Sequence, residues 1–235
     1  TLLFSATMND QVQKLVKKVL KNDTVMIRID MFGELSPNLK QVFIKTKTDE
    51  KRLPYLVALV KNKCNRKTIF PTKELAHRAS LLFNYANIPA AELHANLPQP
   101  DRERSVELFT TGEVKILLAS DLAARGLDIK DIENVINFTI PNEIERYIHR
   151  VGRTARNGKE GTAYSFIHTP NEKKIEKKME KKSDPEKVEK MTIPDELFQD
   201  ALSIVKKFEA KIEADLQKEE EERKRKEKQL KLKTE

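Results

Sequence analysis

The chain of 235 residues carries 45 Lys/Arg against 37 Asp/Glu, a formal charge of +8, with 35% charged and 6% aromatic residues and no tryptophan. A single cysteine, Cys64, excludes a disulfide framework and a cysteine metal site; with no signal-peptide pattern and no apolar run of membrane-spanning length, a soluble intracellular chain is expected. Residues 171–235 hold 19 Lys/Arg and 18 Asp/Glu, so the positive excess falls before position 171, and a polyanion site is expected there rather than in the Lys-rich tail.

At the start, Leu2-Leu3-Phe4 reads as the end of a buried strand and Ser5-Ala6-Thr7 as a short polar loop. Val12, Leu15, Val16 and Val19 predict a helix over 10–21, and Val25-Met26-Ile27 reads as another short strand. These pieces are too few to fold alone, so 1–30 is expected to be the end of a domain that lies mostly upstream. Gly33 and Pro37 mark 31–38 as a linker.

From 39 to 170, short apolar runs alternate with helical patterns. Strands are predicted at 41–44, 68–70, 89–93, 114–119, 134–138 and 162–167, and helices at 50–61, 73–86, 99–109, from Asp121, and at 142–150. This alternation predicts an α/β domain: an open, mostly parallel sheet with helices on both faces. Residues 171–235 read as a charged helical extension. In it Leu197, Ala201, Val205, Phe208, Ile212 and Leu216 keep to one face, and Glu and Lys/Arg blocks follow beyond Lys218. Such a helix packs by its first half and is solvated in its second, or it binds a partner. Cys64 and His77 have no metal partner at useful spacing, so no metal site is expected.

Open parallel sheets bind ligands beyond the carboxyl ends of their strands. Thr72, His94, Ser120 and Asp121 each follow a predicted strand, at helix starts where free N–H groups favour phosphate. Gln99, Arg102 and Arg125 join them, and in Ala124-Arg125-Gly126-Leu127-Asp128 the glycine permits a turn or a close approach to ligand. Asp128 then offers a carboxylate to sugar hydroxyls. The last strand but one leads into Tyr147-Ile148-His149-Arg150-Val151-Gly152-Arg153-Thr154-Ala155-Arg156. On a helix, Arg150 and Arg153 would share a face. Planar guanidinium forks match phosphate oxygens, and a stack of them suits a phosphoryl-transfer site where charge builds. His149 beside Arg150, and a glycine inside the helix, argue against a merely solvated basic end.

Taken together, these motifs resemble the C-terminal half of DEAD-box RNA helicases, ATP-driven enzymes with two RecA-like lobes, over residues 1 to about 170. The resemblance implies that Ser5 and Thr7, in the Ser-Ala-Thr element, couple hydrolysis to RNA release. Thr72, His94, Gln99 and Arg102 (the last two in a Gln-x-x-Arg element), Ser120 and Asp121 would contact or support RNA. It further implies Asp128, with Gly126 and Arg125, at the ATP ribose, Arg150 and Arg153 as arginine fingers on the γ-phosphate, and His149 orienting its neighbours. Departures from the family pattern are Ser120 in place of Thr, Ala95 in place of Gly, and Pro71 where an N–H could be offered.

No Gly-x-x-x-x-Gly-Lys-Ser/Thr loop and no Asp-Glu-Ala-Asp run occurs in the chain. The resemblance therefore implies ATP and Mg²⁺ bound mainly by a lobe outside these residues, onto which this half closes. Ile193-Pro194 leading into a long charged helix resembles the nucleolar branch acting on precursors of the large ribosomal subunit. That branch implies pre-rRNA as the RNA, pre-ribosomal assembly proteins at the C-terminal helix, a nucleolar location, and neither DNA nor membrane as partner. The contrasting class is a passive RNA-binding or scaffold domain, which would need none of Arg150, Arg153 and Asp128.

Overall fold

In the run Ile116-Leu117-Leu118-Ala119, successive side chains enter two different cores: Ile116 and Leu118 join one cluster, Leu117 and Ala119 another. A strand with period two and helices on both faces must do this, and its sequence then reads as an unbroken apolar run. The computed structural model describes residues 1–4, 10–21, 23–27, 35–48, 51–64, 68–71, 76–94, 96–120 and 132–231. Contacts divide the chain into two units, Thr1–Leu35 and Ser36–Glu235.

The first unit contains α1 (Asp10–Val19). The strands expected at Leu2-Leu3-Phe4 and Val25-Met26-Ile27 do not form, and Leu2, Phe4, Val25 and Ile27 are more than four-fifths exposed. An apolar run becomes a strand only when another strand completes its hydrogen-bond ladder, and this unit has no strand among its described residues.

The second unit runs β1 (Leu39–Lys45), α2 (Arg52–Asn62), β2 (Thr68–Pro71), α3 (Ala76–Tyr85), β3 (Ala90–Leu93), α4 (Gln99–Thr111) and β4 (Ile116–Ala119). It continues through β5 (Asn134–Asn137), α5 (Ile144–Val151), β6 (Gly161–Ile167), α6 (Pro170–Lys182), β7 (Val188–Met191) and α7 (Asp195–Lys231). The described strands form one sheet in the order β3-β4-β2-β5-β6-β1-β7, and every pairing is parallel. On one face, α2, α3 and α7 cover Val42, Ile44, Ile136 and Phe166; on the other, Phe109 of α4 packs with Leu93, Leu117 and Val135. Among the described residues no helix is long and apolar enough to cross a membrane.

Residues after 170 are not helix alone, as the sequence suggested. Val188–Met191 adds an edge strand beside β1, half-buried at its two apolar ends and exposed at Glu189 and Lys190. Four residues with charges in the middle carry too little periodicity to read as a strand, and charges on a short edge strand guard it against pairing with other chains.

The last helix, α7, follows the expected stripe. Phe198, Ala201, Val205 and Ile212 are buried and Leu197, Phe208 and Leu216 partly so, while Glu219–Glu222, Lys224, Arg225, Lys228 and Gln229 are exposed. Tyr55 packs on Phe198 with centroids 4.7 Å apart, and Tyr85 stacks on Phe208 at 5.7 Å beneath Lys211 Nζ, itself 4.1 Å from the tyrosine ring. Polar contacts fix the register: Arg78 Nη1 reaches Glu213 at 2.5 Å, and the Tyr85 hydroxyl donates to Asp215. One turn further on, His77 lies between Glu92 and Glu219, 3.0 and 2.7 Å away. The hydrogen bond to Glu92, helped by both carboxylate charges and opposed by burial, raises His77 to about 9.

Candidate functional site

Parallel pairing brings the carboxyl ends of β3, β4 and β2 level, with Leu93 opposite Ala119 and Ala119 opposite Pro71. The Ser120 N–H donates to the Leu93 carbonyl at 2.9 Å, so Ser120 and His94 leave adjacent strand ends together. Ser120 is buried and His94 half-buried. His94 Nε2 is shut off from water and has no hydrogen-bond partner among the described residues. Other expected residues of this rim, Thr72, Asp121, Arg125, Gly126 and Asp128, lie outside the described residues, as do Ser5 and Thr7.

Pro98 precedes α4 and Pro100 sits in its first turn, where a missing N–H costs nothing. Gln99 and Arg102 therefore occupy the exposed start of the helix, one turn apart. Arg102 Nη1 donates to Gln99 Oε1 at 3.2 Å, and the Gln99 amide nitrogen donates to Glu103 at 2.8 Å. Arg102 Nε is shielded without a partner. A glutamine braced by Glu103 thus holds the Arg102 guanidinium through one of its donors.

The arginine run differs from the sequence expectation in one respect. Helix α5 ends at Val151 and Gly152 is its cap (φ −67°, ψ 9°), so the glycine is not inside a helix and Arg153 lies beyond it. The N–H groups of Arg153 and Thr154 turn back to the Arg150 and Val151 carbonyls at 3.1 Å, a tighter i→i+3 winding. Chemistry sets the stop: Arg156 Nε donates to the Gly152 carbonyl at 2.6 Å, and the chain turns through Ala155, Asn157 and Gly158, all at positive φ. Arg150 points back along the helix, where its Nη1 donates to the Thr139 carbonyl at 2.6 Å, just past the end of β5. Arg153 is half-buried in the turn and His149 is exposed on α5.

What holds this run in place was not apparent from the sequence. Tyr147, fully buried, donates to Gln41 Oε1 of β1 at 3.0 Å and lies 3.5 Å from the Ser165 hydroxyl of β6, which accepts from Asn137 Nδ2 at 3.1 Å. Burial pushes the Tyr147 phenol far above its ordinary value, against a small lowering by Ser165. It stays neutral and pins α5 across three strands. At the far end, buried Thr154 donates to the Ile132 carbonyl at 2.6 Å, and Gly161 leaves it room: a Cβ there would sit 2.1 Å from Thr154 Oγ1 and 2.5 Å from the Ala155 nitrogen. Gly161→Ala should therefore cost about 1–3 kcal/mol of stability through overpacking, measured by urea unfolding.

A third device closes α2 and α6 around the end of β5. Arg52, 2% exposed, donates to both Glu172 oxygens at 2.9 and 2.8 Å and to the Phe138 carbonyl at 2.5 Å. Glu172 also accepts from the N–H groups of Ile140, His168 and Thr169, while Thr169 caps α6 in a reciprocal capping box. The segment 138–140, which carries the Arg150 anchor, is thereby fixed from below.

The comparisons agree with this geometry. The model of the Helicase conserved C-terminal domain matches residues 50–158. The ATP-dependent RNA helicase drs1 of Aspergillus oryzae is 45% identical over 179 residues, 74% of this chain and 22% of that protein, so the chain spans about a fifth of its relative's length. The E. coli DEAD-box protein SrmB, solved bound to regulator of ribonuclease activity A, is 31% identical with a TM-score of 0.58, over 68% of this chain and 93% of that one. S. cerevisiae Dbp5 bound to RNA and ADP BeF3 is 26% identical with a TM-score of 0.66, over 86% of this chain and 54% of that one. An all-parallel sheet with helices on both faces, an arginine run anchored at the end of β5, and relatives of this kind together place the chain in the DEAD-box family, as its C-terminal RecA-like helicase lobe.

Proposed function

We propose that this lobe works in an ATP-dependent RNA helicase that remodels precursors of large-subunit ribosomal RNA. The observation that carries the reading is the anchoring of Arg150 on the Thr139 carbonyl, which sets a guanidinium at the carboxyl-end rim of the sheet. There Arg150 and Arg153 neutralise charge gathering on a transferring phosphoryl group; ATP with Mg²⁺, held mainly by the partner lobe, supplies that group. Arginine forks fit phosphate oxygens, and this chain contributes no phosphate loop of its own.

RNA would run along the same rim. Arg102, positioned by Gln99, grips a backbone phosphate, and His94, Ser120, Thr72 and Asp121 are assigned to the same RNA strand. Asp128, with Gly126 and Arg125, takes the ribose, and Ser5, Thr7 and His149 link hydrolysis to RNA release. The Aspergillus oryzae relative, named an ATP-dependent RNA helicase, supports the helicase reading; the ribosomal branch and a nucleolar location rest on the resemblance of Ile193-Pro194 and the long charged helix after it. Because the lobe already covers the apolar stripe of α7, assembly proteins would dock on the charged part beyond Lys218.

The test is hydrolysis by the full-length protein with and without RNA, followed by crosslinking and sequencing of the bound RNA. Hydrolysis should rise well above the RNA-free rate, and large-subunit precursor sequences should dominate the recovered RNA. No stimulation overturns the enzyme; recovery of another RNA class overturns the branch alone.

A further inference from the structure

We infer that His77 Nδ1, Glu92 Oε2 and His94 Nε2 are three ligands of a zinc site, with Glu219 on α7 orienting the His77 ring. Glu92 and His94 are two apart along β3 and its exit, so strand periodicity puts them on one side of the sheet. His77, in the first turn of α3, comes down on the same side. One ligand atom from each of the three lies within 4.8 Å of the others. Glu92 Oε2 is 3.0 Å from His77 Nδ1 and 3.8 Å from His94 Nε2. A tetrahedral ion with ligands at about 2.0–2.2 Å holds them roughly 3.3–3.6 Å apart, between those two separations.

Further features point to an ion. His94 Nε2 is closed off from water with no hydrogen-bond partner among the described residues, and at 3.8 Å the Glu92 carboxylate is too far to supply one. A buried polar atom without a partner requires an explanation, and a metal bond is one. The other nitrogen of His77 meets Glu219 Oε2 at 2.7 Å, the carboxylate–histidine pairing that sets tautomer and ring direction at zinc sites. The two imidazoles stand edge to face, 80° apart with centroids at 6.1 Å, so they occupy different corners instead of stacking. His77 and Glu92 also line an open hollow of about 560 Å³ together with Ser80 and Asn84, which gives an ion its way in and a water its corner.

Two imidazoles and one carboxylate suit zinc; magnesium and calcium require shells of oxygen. Without the ion, the His77 ring meets Glu92 through Nδ1 and Glu219 through Nε2, and zinc would take the place between Nδ1 and Glu92. Occupancy would tie α3, the exit of β3 and α7 together, so the ion locks the C-terminal helix onto the lobe and immobilises His94 at the rim. This reading does not depend on the arginine site.

The experiment is calorimetric titration of zinc into the metal-free chain at neutral pH, with cobalt substitution for the spectrum. One ion per chain should bind at micromolar or tighter affinity, with tetrahedral cobalt bands. His77→Ala and Glu92→Gln should each weaken it at least about 100-fold, and Glu219→Gln about 10-fold. Excess magnesium should not compete. Millimolar binding, marking an adventitious ion only, overturns the site, as does undiminished binding in His77→Ala or Glu92→Gln. Circular dichroism of the metal-free variants checks folding; should His77→Ala fail to fold, Glu92→Gln decides.

Discussion

Arg153→Ala in the full-length protein should lower RNA-stimulated ATP hydrolysis by about 10³-fold or more, the usual worth of an arginine finger. Arg153 sits in a turn made rigid at both ends, by the bond from its own N–H to the Arg150 carbonyl and by the Thr154 hydroxyl on Ile132. In the proposed mechanism its guanidinium would meet the reacting phosphate from a fixed backbone, and preorganisation of this kind is where electrostatic catalysis gets its size. Lysine should not rescue the variant, because one ammonium cannot reproduce a planar fork. RNA affinity should stay near wild type, and a melting temperature measured alongside separates lost catalysis from lost folding. Unchanged turnover would remove the arginine finger from the mechanism. Arg150→Ala is a less clean probe, as it also releases the Thr139 carbonyl.

The second large effect is on stability. Glu172→Ala should cost about 3–5 kcal/mol, because it leaves Arg52 charged and shut in the interior. The double replacement Arg52→Met with Glu172→Leu should recover only part of that loss, since it avoids the desolvation of both charges but takes away the partner of the Ile140, His168 and Thr169 N–H groups. Urea unfolding of wild type, Arg52→Met, Glu172→Leu and the double variant measures the coupling. pH gives an independent reading. Burial by itself would push the Glu172 carboxyl up, but the Arg52 hydrogen bond and the N–H groups of Thr169 and His168 outweigh it and hold the group below its usual range. A lowered folded-state value means that this stabilisation is fully present above the unfolded carboxyl value, about 4.3, and disappears as pH falls through the folded one. Wild type should thus lose stability on acidification below about pH 5 more steeply than Glu172→Gln. Parallel acid profiles would show that the pair contributes nothing through its charge.

The lobe was largely legible because β-α alternation is a local signal: each strand from β1 to β6 falls within two residues of its predicted start, and the stripe on α7 packs as its spacing indicates. What was missed involves residues distant in sequence. Arg52 read as the start of a helix, and only its meeting with Glu172 makes it a buried tie. His77 had no metal-binding neighbour at helical spacing, yet the fold sets Glu92 and His94 against it. Thr154 was one residue in an arginine run until Gly161, after a turn, proved to be the only residue type that leaves it room. Conversely, Leu2-Leu3-Phe4 is apolar enough for a strand, but apolarity says that a residue seeks cover and not what will cover it. Gly152 was informative for the wrong reason, as a helix stop instead of an interior residue.

Strand β1 has its two neighbours late in the chain: Leu39 waits for Gly161, and Gln41 for Val188. A nascent chain emerging from the ribosome would therefore carry Val42-Phe43-Ile44 with both edges open until nearly all of the sheet has been synthesised. Pairings this remote make for slow closure and a prolonged exposure of sticky backbone. Translation speed and chaperone supply, more than final thermodynamic stability, would then set the yield of folded lobe.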